Sequence, residues 1–399
     1  MGGQGSGALR EANTRLVVDE LRRSGPTTRP ALARETGLAK QTVSTIVASL
    51  IAEGVAREVG LGAVERRGGR PAVLVEYAAD RAFVAGLELG VGRTRVMVAD
   101  ALGAPVVVRE VPPPSRSSRR RSAGDVLDGV IAVLASELEQ LGGPGRLRAV
   151  GVSVTGLVQP RSGVCALAPN LGWRDVPVRE LVEERLAALG VSAPVIVRGA
   201  AQASLIAEQR EGVATDEDDV VLLFEDEGVG AAVIEGGRLV DGADGTAGEL
   251  GHCAWPGATT RCGCGRRGCV ETLTSGPAVR RAVESATGRR LPRRAGVSTY
   301  ALLGEQDGTA VTAAVAEAGR VLGTAASWLT AITAPRLVVL SGSLAVAPPD
   351  LRRALVGVLR DRAVHGPAPD VVDGALGMDA ALRGVVLLAL DRARESALG

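Results

Sequence analysis

Residues Glu249 to Glu271 read ELGHCAWPGATTRCGCGRRGCVE and hold four of the chain's five cysteines and one of its two histidines. His252, Cys262, Cys264 and Cys269 offer one imidazole and three thiolates, the soft ligand set that tetrahedral zinc prefers. Gly263, Gly265 and Gly268 let the backbone wrap closely around a small ion. The other reading of these cysteines is disulfides or plain burial. An odd number of cysteines in a chain without an export signal argues against disulfides, and Cys262 and Cys264 are too close in sequence to bridge each other easily. One structural zinc per chain is therefore expected. Cys253 and Cys165 fall outside the pattern and read as small buried apolar residues.

Outward from this knuckle, 399 residues provide for two or three domains with a substantial core. A net charge of +1 excludes a globally basic nucleic-acid coat, so any DNA contact must be local. No signal peptide is recognisable, and the longest uncharged apolar run, Val321 to Pro335, is too short to span a bilayer. A cytoplasmic protein with no membrane association is expected. Of the 46 basic residues all but Lys40 are arginine.

Residues 1–8 read as a disordered terminus and 9–77 as a DNA-binding domain. Asn13 is placed to cap a helix from Thr14 to Arg23, a second helix spans Arg29 to Thr36, and Gly37-Leu38 turns into a third over Lys40 to Glu53. On the third, Val43, Ile46, Val47, Leu50 and Ile51 line one face, while Lys40, Gln41, Thr42, Ser44 and Thr45 stand at its start. That is the helix-turn-helix pattern, whose second helix lays its leading side chains along base edges. Strands at Val55–Val59 and Ala72–Tyr77 then frame a loop whose Arg66, Arg67 and Arg70 form a wing suited to phosphates or a narrow minor groove. An ordinary helical interaction domain with a solvated arginine loop is the competing reading. Residues 1–76 carry eleven basic against eight acidic side chains, a local excess that favours DNA.

From Ala82 the periodicity becomes α/β. Strands are predicted at 82–89, 94–99 and 105–111, a helix over Asp125–Leu141, and further strands at 148–154, 194–198, 219–225 and 230–235. A long small-residue helix precedes a strand at 336–340, and a last helix covers about 380–394. Residues 82–399 are thus best divided into two lobes. The Pro/Ser/Arg run at 112–121 reads as a solvated loop, and His365 as a surface residue.

These residues resemble the ROK proteins, a family of sugar kinases and sugar-responsive transcriptional repressors with a two-lobed, actin-like ATPase fold. The resemblance rests on Glu249-Leu250-Gly251-His252, the Cys262–Glu271 motif, Ala168–Trp173, and an N-terminal helix-turn-helix ending in Gly69-Arg70-Pro71. It implies the repressor branch, since the family's kinases generally lack the DNA-binding domain. It also implies that Glu249, His252, Glu271 and Asn170 contact a sugar, although Glu249 and Glu271 would serve equally as acceptors bracing the knuckle.

Three departures from the kinase pattern imply lost catalysis. The phosphate loop Asp-x-Gly-Gly-Thr-Lys is replaced by Glu88-Leu89-Gly90-Val91-Gly92-Arg93. The Asn-Asp pair, whose aspartate takes the sugar's proton, falls on Gly199-Ala200. The second nucleotide turn reads Glu225-Asp226-Glu227-Gly228-Val229-Gly230, three negative charges expected to repel phosphate. The resemblance thus implies a homodimer or dimer of dimers bound to double-stranded operator DNA and answering to a sugar effector. An active sugar kinase with an accessory DNA-binding domain, or a regulator sensing a protein partner, are the alternatives.

Overall fold

The computed structural model describes residues 3–62, 72–112, 122–294, 297–364 and 366–396, with side chains from residue 7 onward. Arg66, Arg67, Arg70, His365 and most of the Pro/Ser/Arg run lie outside the described residues. The chain divides into two compact units.

The first unit carries three helices and a small sheet. The opening helix spans Gly3–Ser24, so it runs back past the expected Asn13 cap and through most of residues 1–8. Ala8 to Ala12 contain no breaker, and Glu11 pairs with Arg15 at i,i+4 across that stretch. The helix Arg29–Thr36 is capped by the Thr28 hydroxyl and ends on Gly37 at φ 71°, a left-handed position suited to glycine. The third helix, Lys40–Ala52, buries Val43, Ile46, Val47 and Leu50. These pack with Val17, Leu21, Leu32, Val75 and Tyr77 into one apolar cluster. Strands Ala56–Leu61 and Val73–Tyr77 pair antiparallel, as expected for a wing, and the two-residue strand Thr27–Thr28 adds to the second of them.

The second unit is built on two five-stranded sheets. One consists, in chain order, of Phe83–Leu89, Thr94–Asp100, Pro105–Glu110, Leu147–Val154 and Val195–Gly199; the other of Val220–Glu225, Val229–Glu235, Arg238–Leu239, Leu337–Gly342 and Asp370–Asp373. Numbered within its own sheet, each set is arranged 3-2-1-4-5. The same topology therefore occurs twice, although no sequence repeat marks it. A third sheet, Leu157–Gln159, Val164–Ala168 and Trp173–Val176, went unrecognised in the sequence because its strands are short and broken up by turn residues between them.

Every residue of Phe83–Leu89 is buried, which explains why the strand is apolar throughout except at Glu88. The last helix, Ala380–Ser396, follows the second sheet in the chain but packs on the first, where Leu382, Val386, Ala389 and Leu390 meet Val84, Met97 and Ala149. It approaches so closely that a Cβ on Gly151 would lie 2.0 Å from the Val385 carbonyl oxygen.

Glu208 ties the segment that leads into this last helix to a second helix. Fully buried on the helix Ala200–Glu211, its carboxylate accepts the N–H groups of Val213, Ala375 and Leu376 at 3.1, 3.1 and 2.9 Å. Alanine there would deprive three part-buried N–H groups of their acceptor, so Glu208→Ala is expected to lose about 2–3 kcal/mol in urea denaturation. A loss below about 1 kcal/mol would show that water replaces the carboxylate.

Candidate functional site

The strands Val195–Gly199, Leu147–Val154 and Val220–Glu225 end at a common cavity of about 420 Å³. This is where α/β sheets usually bind ligands, beyond the carboxyl ends of their strands. Its walls include Thr155, Gly156, Asn170, Gly199 to Gln202, Gly228 to Ala231, Gly245 to Glu249, His252, Arg266 and Glu271. All four residues expected to contact a sugar, Glu249, His252, Glu271 and Asn170, come together here.

Beside the cavity, the expected metal ligands also converge: one side-chain atom each from His252, Cys262, Cys264 and Cys269 all lie within 4.8 Å of one another. His252 Nδ1 is 3.6 Å from Cys262 Sγ, and Cys264 Sγ is 3.7 Å from Cys269 Sγ. A tetrahedron with metal–sulfur bonds of about 2.3 Å has ligand–ligand edges of about 3.7 Å, so these atoms fit a zinc ion. The segment has little regular structure of its own, with isolated bridges only at Ala254–Cys269 and Arg261–Arg267. Burial pushes the Cys262 and Cys269 thiols above their ordinary range, an effect to which the neighbouring Glu271 charge adds. A cation is what would hold them as thiolates. Cys165, by contrast, is fully buried and pushed up to about 12 by that burial, which leaves it an inert apolar filler as expected. Cys253 is half-buried.

The knuckle and cavity share side chains. His252 turns Nε2 toward Glu249 Oε2 at 3.9 Å, and Cys262 Sγ lies 3.4 Å from Glu271 Oε1. The other Glu271 oxygen accepts the Val229 N–H at 3.1 Å. Burial pushes the Glu249 carboxyl up, partly offset by His252. The loop carrying Glu249 packs flat on the strand Val229–Glu235, since a Cβ on Gly251 would lie 2.0 Å from the Val229 carbonyl oxygen. Asn170 donates through Nδ2 to the Glu227 carbonyl at 3.3 Å and so braces a residue held at φ 64°.

A second cavity of about 320 Å³ joins the altered phosphate loop to the acidic turn, with Gly92, Arg93, Glu225, Asp226, Glu227, Arg280, Arg293 and Arg294 among its walls. The expected repulsion from three negative charges needs correction. Burial pushes the Glu225 carboxyl far up and the Asp226 carboxyl up, the latter opposed by Arg93, and four arginines line the same space. Two local arrangements occupy this region. Glu225 accepts the Gly276 N–H at 2.8 Å and so occupies the N-terminus of the helix Gly276–Thr287. Glu88, at the phosphate loop, pairs with the buried Arg95, which also bonds Asp379 and, at 2.8 Å, the Met378 carbonyl. Sequence reading missed Arg95 because it stands in a strand, outside any motif.

On the third helix of the first unit, Lys40, Gln41 and Thr45 are exposed and Thr42 and Ser44 half-buried. Thr45 donates to the Gln41 carbonyl at 3.0 Å. The polar leading end is therefore free on the side away from the core.

Two sheets of like topology around one cavity, preceded by a three-helix unit with a wing, define the actin-like kinase fold with a winged helix-turn-helix. The ROK family profile matches residues 84–392, and the chain belongs to the ROK family. It is similar to the xylose repressor of Bacillus subtilis, 27% identical over 277 residues that make up 69% of each chain. Among solved structures it resembles a ROK family transcriptional regulator described as a homolog of the E. coli MLC protein, with a TM-score of 0.70 at 21% identity, covering 96% of this chain and 97% of that one. A ROK family glucokinase from Streptomyces griseus, solved with glucose and AMPPNP, superposes with a TM-score of 0.65 at 25% identity and covers 78% of this chain and 100% of its own.

Proposed function

We propose that this protein is a transcriptional repressor that binds operator DNA through its winged helix-turn-helix and senses a sugar or sugar derivative in a kinase-like domain without phosphoryl transfer. The observation that carries this reading is the composition of one cavity. Glu249, Glu271, His252 and Asn170 offer partners for ligand hydroxyls, yet the wall at Gly199 and Ala200 has no group able to take a proton. The Glu88–Arg95 pair and the Glu225 cap support the loss of nucleotide binding. The similarity to a xylose repressor supports the regulatory role.

One structural zinc held by His252, Cys262, Cys264 and Cys269 fixes the loop that presents Glu249 and Glu271. Lys40, Gln41, Thr42, Ser44 and Thr45 face the major groove, with Arg66, Arg67 and Arg70 of the wing on the backbone or minor groove. The protein acts in the cytoplasm as a homodimer or dimer of dimers, in which effector binding changes the spacing of two DNA-reading helices.

Gel-shift titration with the chain's own promoter region tests this. Gln41→Ala is expected to weaken promoter binding by about tenfold or more and to relax sequence preference, since a good base contact contributes about 1–3 kcal/mol. Equal affinity for promoter and unrelated DNA at moderate salt would sink the proposal. The kinase reading gains if ADP release above background follows any sugar in a coupled assay.

A further inference from the structure

Residues 240–248 follow the short strand Arg238–Leu239 and lead into Glu249, and Gly245, Thr246, Ala247 and Gly248 line the cavity. Both ends of this segment are rooted in the second sheet. The Val240 N–H donates to the Val233 carbonyl at 2.9 Å, and the Gly248 carbonyl accepts the Ala231 N–H at 2.8 Å. Its middle reaches the other way. A Cβ on Gly245, which stands at φ 73°, would lie 2.4 Å from both the Pro160 Cδ and the Val158 carbonyl oxygen. Val158 belongs to the third sheet, which the chain forms between two strands of the first. The segment is thus a strap that leaves the second sheet, touches the side of the first, and returns.

One ion pair fastens it there. Arg198, next to last in the strand Val195–Gly199 of the first sheet, donates through Nη1 to Asp241 Oδ1 at 2.7 Å. The Arg198 side chain is 19% exposed and that of Asp241 36%. Arg198 Nε is buried without a partner, and Asp241 is the one counter-charge of this guanidinium among the described residues. Lifting the strap would leave a mostly buried cation with no anion beside it, so the pair favours the lowered position. Neither residue lines the cavity, and their influence on a ligand must pass through the strap. The strap ends on Glu249, where the Leu250 N–H turns back to the Gly248 carbonyl at 2.7 Å. Where the strap lies therefore sets where Glu249 stands.

We propose that Arg198 and Asp241 are positioning residues of the effector site, whose ion pair holds the strap across the cavity before any ligand arrives. The inference rests on the sugar-sensing reading given above. A loop already in its binding position spares the ligand the cost of ordering it, which raises affinity without a new contact.

Hydrogen exchange followed by mass spectrometry on the full-length protein reads this latch with no ligand present. Peptides covering residues 240–250 contain the bonded Val240, Ala247 and Leu250 N–H groups. In Arg198→Met and in Asp241→Asn they should exchange about tenfold or more faster than in the wild type. The double variant should exchange no faster than either single one, because both changes remove the same bond. Arg198→Lys, which keeps the charge, should retain most of the protection. Zinc content and protection of the strand Val220–Glu225 should stay at wild-type levels, which a general loss of folding would not allow. Should Arg198→Met fold poorly, Asp241→Asn alters only the more exposed partner and gives the same reading.

Titration with glucose, xylose and N-acetylglucosamine adds a functional arm. A sugar that binds the wild type should bind Asp241→Asn about tenfold more weakly. If none of the three binds, the exchange result alone decides. Unchanged exchange at residues 240–250 in both single variants, additive effects in the double, or a sugar held equally by wild type and Asp241→Asn would each overturn the inference. Promoter binding measured without ligand separates the two proposals. If it fails while exchange responds as expected, the repressor reading falls and the latch stands; if it holds while exchange does not respond, only the latch falls.

Discussion

Cys264→Ser is expected to strip the protein of its metal and to lower its stability by about 5 kcal/mol or more, given that structural zinc sites in small peptides contribute about 10–16 kcal/mol at pH 7. Cys264 pairs with Cys269 at 3.7 Å along one edge of the ligand tetrahedron, and a serine hydroxyl is a poor substitute for a thiolate. An ion here would tie Cys262 and Cys264 to His252 and Cys269 across the segment. Elemental analysis should find about one zinc per chain in the wild type and none in the variant, with a lower and broader melting transition. Cys165→Ser should keep its metal, because Cys165 lies outside the cluster.

Acid should favour metal loss. The Cys262 and Cys269 thiols are pushed up by burial, so protons compete for them and metal binding must release those protons. Affinity therefore falls as pH falls. A wild type that purifies without metal and melts as cooperatively as the zinc-loaded form would refute a structural zinc.

Arg95→Met is expected to lose about 3–5 kcal/mol, because it leaves Glu88 buried without its cation. Burial alone pushes the Glu88 carboxyl up, and Arg95 is the largest influence pulling it back. Without Arg95 the carboxyl rises further. Its folded value, already above the unfolded one, then exceeds it by more, so the penalty grows as pH rises through the carboxylate range and disappears as the group protonates in acid. The double variant Glu88→Gln/Arg95→Met should recover most of the loss, since a buried pair replaced on both sides is often neutral. Chemical denaturation of the three proteins between acid and neutral pH measures this. A single variant as stable as the wild type at neutral pH would mean that water reaches Glu88 and that the pair does not lock the phosphate loop.

Much of the site was legible because its chemistry is local. The His252, Cys262, Cys264 and Cys269 ligands are carried by a segment of eighteen residues with glycines between them, and no long-range packing is needed to recognise that donor set. The helices Arg29–Thr36 and Lys40–Ala52 were equally readable, since Thr28, Gly37 and the Val43 to Leu50 stripe are cap, stop and face within one short stretch. The opening helix was misread at Asn13, where an intrinsic capping preference was overridden by good helix formers before it.

Other features had no local signal. Glu225, Asp226 and Glu227 look like three charges in a row, but charge depends on burial, and burial is decided by what packs on the turn. Gln202 looks like an ordinary surface residue until the fold buries it at a helix start in the cavity wall. The twofold 3-2-1-4-5 arrangement is likewise invisible along the chain, because each sheet interleaves strands far apart in sequence and asks only that they be apolar. The sequence by itself determined the cluster of His252 with three cysteines, the three-helix pattern of the first unit and the lack of a carboxylate at Gly199-Ala200, all properties of residue type at short spacing. Only the tertiary structure decided which carboxyls are buried and which arginine neutralises Glu88, since solvent exposure and long-range contact are properties of the packed chain.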